Sequence, residues 1–239
     1  YGERTNTRIY CGIIADNTYL YLGTDNGILV YNYRTDKYEQ PDTDFPTDVR
    51  TMVLQGDTLW IGSLNGLYTY QLKSRQLNHF DSKQTGLPHN TIYSIIHTKD
   101  NQIYIGTYNG LCRYVQASGK FENILLPVNR GGSNLFVNSL LEDAARQCIW
   151  IGMEGYLFQY NPTTGEMKAI EVFHNNSIKS LALDGDENLL AGTDNGLYVY
   201  QNDKEPLQHI IHDSRNIQSL TNNIIWNIFS DQEHNIWLG

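Results

Sequence analysis

Five times along the chain, four or five apolar, mostly β-branched or aromatic residues run into a glycine, cross a short polar turn and resume as a second apolar segment. The copies read LYLGTDNGILVYN (20–32), LWIGSLNGLYTYQ (59–71), IYIGTYNGLCRYV (103–115), IWIGMEGYLFQYN (149–161) and LLAGTDNGLYVYQ (189–201), and IWLG (236–239) opens a sixth. Such segments, bounded by turn residues and alternating as in Leu67, Tyr68, Thr69, Tyr70, predict β-hairpins. The pairs Asn26-Gly27, Asn65-Gly66, Asn109-Gly110 and Asn195-Gly196 predict type I′ turns, with positive φ at both central residues. The fourth copy, Met153-Glu154-Gly155-Tyr156, predicts a turn of another type.

Upstream of each hairpin an apolar pair marks a further strand: Tyr10 and Ile13, Val49 and Met52, Ile92 and Ile95, Val137 and Leu140, Ile178 and Leu181, Ile225 and Ile228. Downstream, a shorter and more polar segment such as RQLNHFD (75–81) or GKFENIL (119–125) closes the unit. The anchoring glycines Gly23, Gly62, Gly106, Gly152, Gly192 and Gly239 recur with a period of roughly 43 residues, the length of a four-stranded propeller blade. No competing segment of helical period appears. The chain is therefore read as an all-β propeller of four-stranded blades, at about 9–42, 48–81, 90–126, 137–171 and 177–211, with the first two strands of a sixth at 223–239. Five and a half blades leave an open sheet edge, so a fragment of a larger propeller is expected.

Charge narrows the partners. The 239 residues carry 17 Lys and Arg against 26 Asp and Glu, a net charge of −9, and no basic run, which argues against nucleic acid and against an anionic membrane surface. No apolar run approaches the roughly 20 residues that span a bilayer, and YGERTNTRIY lacks a signal-peptide core. The three cysteines, Cys11, Cys112 and Cys148, are scattered through apolar segments and are expected to be packed free thiols.

The hairpins, together with GLPHNTIYSIIHTKDNQIYIGTYNGLCRY (86–114) and SLTNNIIWNIFSDQEHNIWLG (219–239), resemble the two-component regulator propeller family over residues 9–239. The fourth turn and Ala191 depart from its pattern. The resemblance implies a periplasmic sensor ectodomain of a Bacteroidetes hybrid two-component system, which detects glycan-derived oligosaccharides and signals to a histidine kinase. It also implies a membrane-anchored, dimeric parent protein. The phosphoacceptor histidine, ATP site and receiver aspartate of such a protein are not in this chain, so it is expected to bind without phosphorylating.

Residue chemistry points the same way. His79, His89, His97, His174, His209, His212 and His234 form no metal-ligand spacing; His209 and His212 fall on opposite faces of a strand. Neither a nucleophile elbow nor a phosphate loop occurs. The acidic cluster Asp184, Asp186 and Glu187 lies in a turn, where such residues are expected for turn chemistry. No cofactor, metal or catalytic residue is expected. A propeller used as a protein-interaction scaffold, or a propeller hydrolase or lyase, are the alternatives.

Aromatic residues make up 12% of the chain, with 17 tyrosines and 4 tryptophans, and suit the apolar faces of sugar rings. Trp60, Trp150 and Trp237, each two residues before an anchoring glycine, are expected to pack between blades. Trp226 instead occupies an inner-strand position that carries Tyr93 and Lys179 in other blades, so it is expected to face the channel or its mouth. Loops leading into the inner strands add His89, Asn90, Arg130, Asn134, Phe136, His174 and Asn175 as candidate ligand contacts.

Overall fold

The structure, a computed structural model, describes residues 7–15, 17–39, 41, 43–128, 135–173, 176–202 and 207–239. Arg130, Asn134, His174 and Asn175 therefore lie outside the described residues. The chain forms two compact units, Tyr1–Leu125 and Leu126–Gly239.

The first unit holds three antiparallel sheets, each with its strands in sequence order. They are Ile9–Ala15, Tyr19–Thr24, Gly27–Asn32 and Lys37–Glu39; then Val49–Gln55, Thr58–Ser63, Gly66–Gln71 and Leu77–Phe80; then Ile92–His97, Ile103–Thr107, Gly110–Val115 and Lys120–Ile124. The second unit repeats the plan in Val137–Asp143, Cys148–Met153, Tyr156–Tyr160 and Met167–Ala169, and in Ile178–Leu183, Leu189–Thr193, Gly196–Tyr200 and Gln208–Ile210. Ile228–Ser230 and Ile236–Leu238 follow as a pair. These are five complete blades and the first two strands of a sixth. Helix among the described residues is confined to short turns such as Ser82–Thr85, capped by the Asp81 side chain.

Within each unit, the first strand of one blade packs against the first and second strands of the blade before it. The apolar pairs supply that contact: Val49, Ile92 and Ile178 are fully buried, with Met52, Ile95 and Leu181 close behind, and Val137 and Leu140 are buried as well. Strand alternation is blurred, because both faces of the middle strands are covered by neighbouring sheets. Leu67, Thr69 and Tyr70 are all buried, although they do not share one face.

Trp60 is buried and meets Tyr114 of the next blade edge-on, with ring centroids 4.8 Å apart. Trp150 does the same with Tyr200 at 5.8 Å. Each indole N–H donates to a side-chain oxygen near the turn between the first two strands: Trp60 to Gln55 at 3.0 Å and Trp150 to Asp143 at 3.0 Å. Trp237 keeps that bond, to Asp231 at 2.9 Å, but is 61% exposed, because no further sheet of the described chain lies beyond it.

The hairpin turns differ from the type I′ expectation. Positive φ falls on Gly27, Gly66, Gly110 and Gly196 and not on the asparagines before them. The two residues between the paired ends are Asp25-Asn26 and their equivalents, with the glycine already in the ladder. The physical reason is a hydroxyl that follows the anchoring glycine. Thr24 donates to the Gly27 carbonyl at 2.9 Å and accepts from the Asn26 N–H at 3.1 Å, and Ser63, Thr107 and Thr193 repeat both bonds. The fourth blade has Met153 there; its turn centres on Glu154 and Gly155, with φ 80° at Gly155, so the different turn expected there is present.

Candidate functional site

A repeated ladder defect creates the most distinctive side-chain row. The pairing of first and second strands slips between Ile9 and Cys11, Val49 and Thr51, Val137 and Ser139, and Ile178 and Ser180, and in the third blade at the level of Tyr93. Tyr10, Arg50, Tyr93, Asn138 and Lys179 therefore sit at β-bulges, which re-aim a side chain out of the regular pleat. Trp226 continues the same column in sequence.

In the first unit the row is an aromatic and cationic stack. The Arg50 guanidinium carbon lies 3.9 Å from the Tyr10 ring centroid. Burial and the neighbouring Tyr108 raise the Tyr93 hydroxyl above its ordinary pKa, against an opposing pull from Arg50. Nη2 of Arg50 reaches Asp48 Oδ1 at 3.4 Å. Nε of Arg50 is buried and has no hydrogen-bond partner among the described residues. Asp48 itself adopts φ 53°, a left-handed conformation uncommon for a residue with a side chain. Its backbone holds it there, donating to Asp25 O at 3.1 Å and accepting from Leu64 N at 3.3 Å, which ties together two hairpin turns.

In the second unit the residues at the bulges are Asn138, whose amide donates to Ile178 O at 3.0 Å, and Lys179. The Lys179 ammonium donates to Ser177 Oγ at 3.0 Å and stands 5.2 Å from the Trp226 ring centroid. Trp226 is 66% exposed.

The other predicted contacts are placed as follows. His89 Nδ1 accepts from the Thr91 N–H at 3.0 Å, and its ring lies 5.0 Å from that of Tyr108. Asn90 Oδ1 accepts from the Ser82 N–H at 2.8 Å, holding the start of the short helix. Both are half-buried, as is Phe136, which immediately precedes the strand Val137–Asp143.

A cavity of about 280 Å³ in the first unit was not anticipated. Tyr19, Tyr21, Phe45 and Tyr70 line it, with Glu39 and Arg75. The rings of Tyr19 and Tyr21 are 6.4 Å apart, and Phe45 meets Tyr70 edge-on at 4.9 Å. Glu39 Oε1 accepts from Asn32 Nδ2 at 2.6 Å, which fixes the carboxylate beside the rings. Tyrosines two apart on the second strand share one face, and that spacing was the available signal. Aromatic faces beside a held carboxylate and a guanidinium are chemistry suited to a polyhydroxylated ring.

Residues 86–109 match the family model described as two component regulator propeller. The chain carries that repeat. Over its whole length it is 79% identical, with a TM-score of 0.97, to the solved extracellular domain assigned to the hybrid two-component system BT4673 from B. thetaiotaomicron. A second such domain, that of BT3049 from the same organism, shares the fold at 20% identity and a TM-score of 0.77. Histidine kinase P4 of Formosa agariphila is 26% identical over 260 residues, covering 94% of this chain. The repeat-bearing chain spans 32% and 33% of the two solved chains and 18% of the curated kinase. Among the described residues, no helix is long and apolar enough to cross a membrane.

Proposed function

We propose that this chain is part of the extracytoplasmic sensor ectodomain of a hybrid two-component system. It lies in the periplasm, binds a glycan-derived oligosaccharide without transforming it, and passes the binding event through a dimeric, membrane-anchored parent to a histidine kinase. The observation that carries this reading is the 79% identity over the whole chain to the extracellular domain of such a system. The groove of Tyr19, Tyr21, Phe45, Tyr70 and Glu39 supports the sugar part, since stacking faces and polar hydroxyl partners are there combined in one cavity.

The test is isothermal titration of the parent ectodomain against plant, fungal and host oligosaccharides, followed by Tyr21→Ala and Tyr19→Ala. One glycan class is expected to bind, and each substitution is expected to weaken it by roughly tenfold, the loss of a stacking contact of about 1.5 kcal/mol. Absence of binding to every oligosaccharide, with capture of a periplasmic protein instead, would overturn the reading in favour of an interaction scaffold.

A further inference from the structure

Arg50 is held in place but under-used. Its contact with Tyr10, at 3.9 Å, positions the guanidinium without offering its N–H groups a lone pair. Asp48 is the acceptor the structure gives it, through one nitrogen at 3.4 Å. Charge-assisted N–H···O bonds run at about 2.7–2.9 Å, so that pair is loose, and both side chains are about a third exposed. Nε has meanwhile been taken out of water with no partner among the described residues. A desolvated donor without an acceptor is a cost that native structures seldom carry without a use.

The surrounding backbone shows the same bias. The bulge between Val49 and Thr51 turns Arg50 out of the pleat, and the left-handed Asp48 two residues earlier is pinned by two hairpin turns. Guanidinium recognises planar or tetrahedral oxyanions through paired N–H groups, and this one has Nε and most of its fork free of acceptors among the described residues. A chain of net charge −9 does not gather anions generally, so any preference for an acidic ligand must come from such a local receptor.

We infer that Arg50, stacked on Tyr10 and flanked by Asp48, is the receptor for a carboxylate or sulfate group of the sugar, so that the glycan sensed is an acidic one. This rests on the reading of the chain as a glycan-binding sensor segment.

The experiment is isothermal titration of the parent ectodomain with tetragalacturonate, which carries carboxylates only, with a carrageenan tetrasaccharide, which carries sulfates only, and with cellotetraose and galactotetraose as neutral probes. An acidic probe is expected to bind, and which of the two does so assigns the oxyanion. Arg50→Met is expected to weaken it by roughly 10- to 100-fold, the range for a lost charged hydrogen bond. Arg50→Lys, which keeps the charge and removes the fork, is expected to lose about tenfold. Thermal melting of both variants separates a folding defect from a binding defect, and Arg50→Lys keeps the test usable if Arg50→Met unfolds. Binding of neutral and acidic probes alike, or acidic binding unchanged in a folded Arg50 variant, overturns the inference and leaves the sensor reading standing. If the wider oligosaccharide panel also yields no binding, the sensor reading falls and takes this inference with it.

Discussion

The Cβ that Gly62 lacks would stand 2.6 Å from Cγ2 of Ile92, the first buried residue of the next blade. Gly23 stands in the same relation to Val49 at 2.7 Å, Gly152 to Ile178 at 2.6 Å and Gly192 to Ile225 at 2.7 Å. The anchoring glycine is thus a matter of room closed from two sides: a Cβ there would meet the first strand of the next blade and also a side chain of its own blade's first strand, Thr51 Cγ2 at 2.6 Å for Gly62 and Ser180 Oγ at 2.7 Å for Gly192. Gly62→Ala and Gly152→Ala are expected to destabilise by about 1–3 kcal/mol through overpacking, read by urea unfolding. In an Ile92→Ala background the cost of Gly62→Ala should shrink by more than about 0.5 kcal/mol. Strictly additive losses would show that the clash lies elsewhere.

Asp143 joins two blades through a fully buried carboxylate. It accepts from the Trp150 indole at 3.0 Å, from the Arg146 backbone N–H at 3.0 Å and from the Arg146 guanidinium at 2.7 Å. The guanidinium also donates to Glu187 O at 2.8 Å and Gln201 O at 3.1 Å in the next blade. Burial pushes the carboxyl pKa up, but the indole and Arg146 together outweigh it and the net displacement is downward. A depressed carboxyl stabilises the fold above its unfolded pKa of about 3.9, and that stability is lost as pH falls through the folded value. Asp143→Asn is expected to cost about 3 kcal/mol at pH 7, since it leaves the guanidinium without its ion partner. The gap to the unsubstituted protein should hold from pH 7 down to about pH 4 and narrow only as melting is carried below the unfolded pKa of about 3.9. A gap that stays constant with pH would mean the carboxylate charge is not what matters.

The hydroxyl after the anchoring glycine sets the hairpin turn. Thr107→Val and Thr193→Val keep shape but remove one donated and one accepted hydrogen bond, an expected loss of about 1–2 kcal/mol each in thermal or urea unfolding. Met153→Thr is expected to give no comparable gain, because Gly155 sits inside that turn and not after it. Stabilisation by Met153→Thr to the same extent would detach the hydroxyl from the turn geometry.

The blade plan was legible because it rests on local signals: apolar segments of strand length, turn residues, and a period too long for other repeats. Turn geometry was misassigned for a physical reason. Asn-Gly alone favours positive φ at both residues, and only the bonded Thr or Ser hydroxyl moves the turn one place forward, so that Gly27 enters the ladder. The bulged row was half legible. Trp226, Tyr93 and Lys179 vary in chemistry at one position, which marked them as unlike core residues. Arg50 and Tyr10 belong to the same column, yet their contact joins residues 40 apart in sequence and depends on two blades being side by side. The groove around Tyr21 and Tyr70 was missed likewise, since tyrosine on a β-strand is equally at home in a core.

Thiol chemistry reports whether the blades stay closed. Burial pushes the Cys11 thiol up to about 12, and it raises Cys112 and Cys148 as well. Cys112 is fully enclosed and Cys148 nearly so. Alkylation requires thiolate and access together; both conditions fail at Cys112 and Cys148 in the native fold, and at half-buried Cys11 the raised pKa is the protection. Iodoacetamide at pH 8 is expected to label none of the three within the time that modifies all of them in urea, as counted by mass spectrometry. Cys11 reports on the first blade, Cys112 on the third and Cys148 on the fourth, so a single site labelled in native buffer would identify which blade opens. If Gly62→Ala pries apart the second and third blades, faster labelling at Cys112 with Cys148 still protected is the expected signature. Equal acceleration at both would instead mean that labelling follows global unfolding.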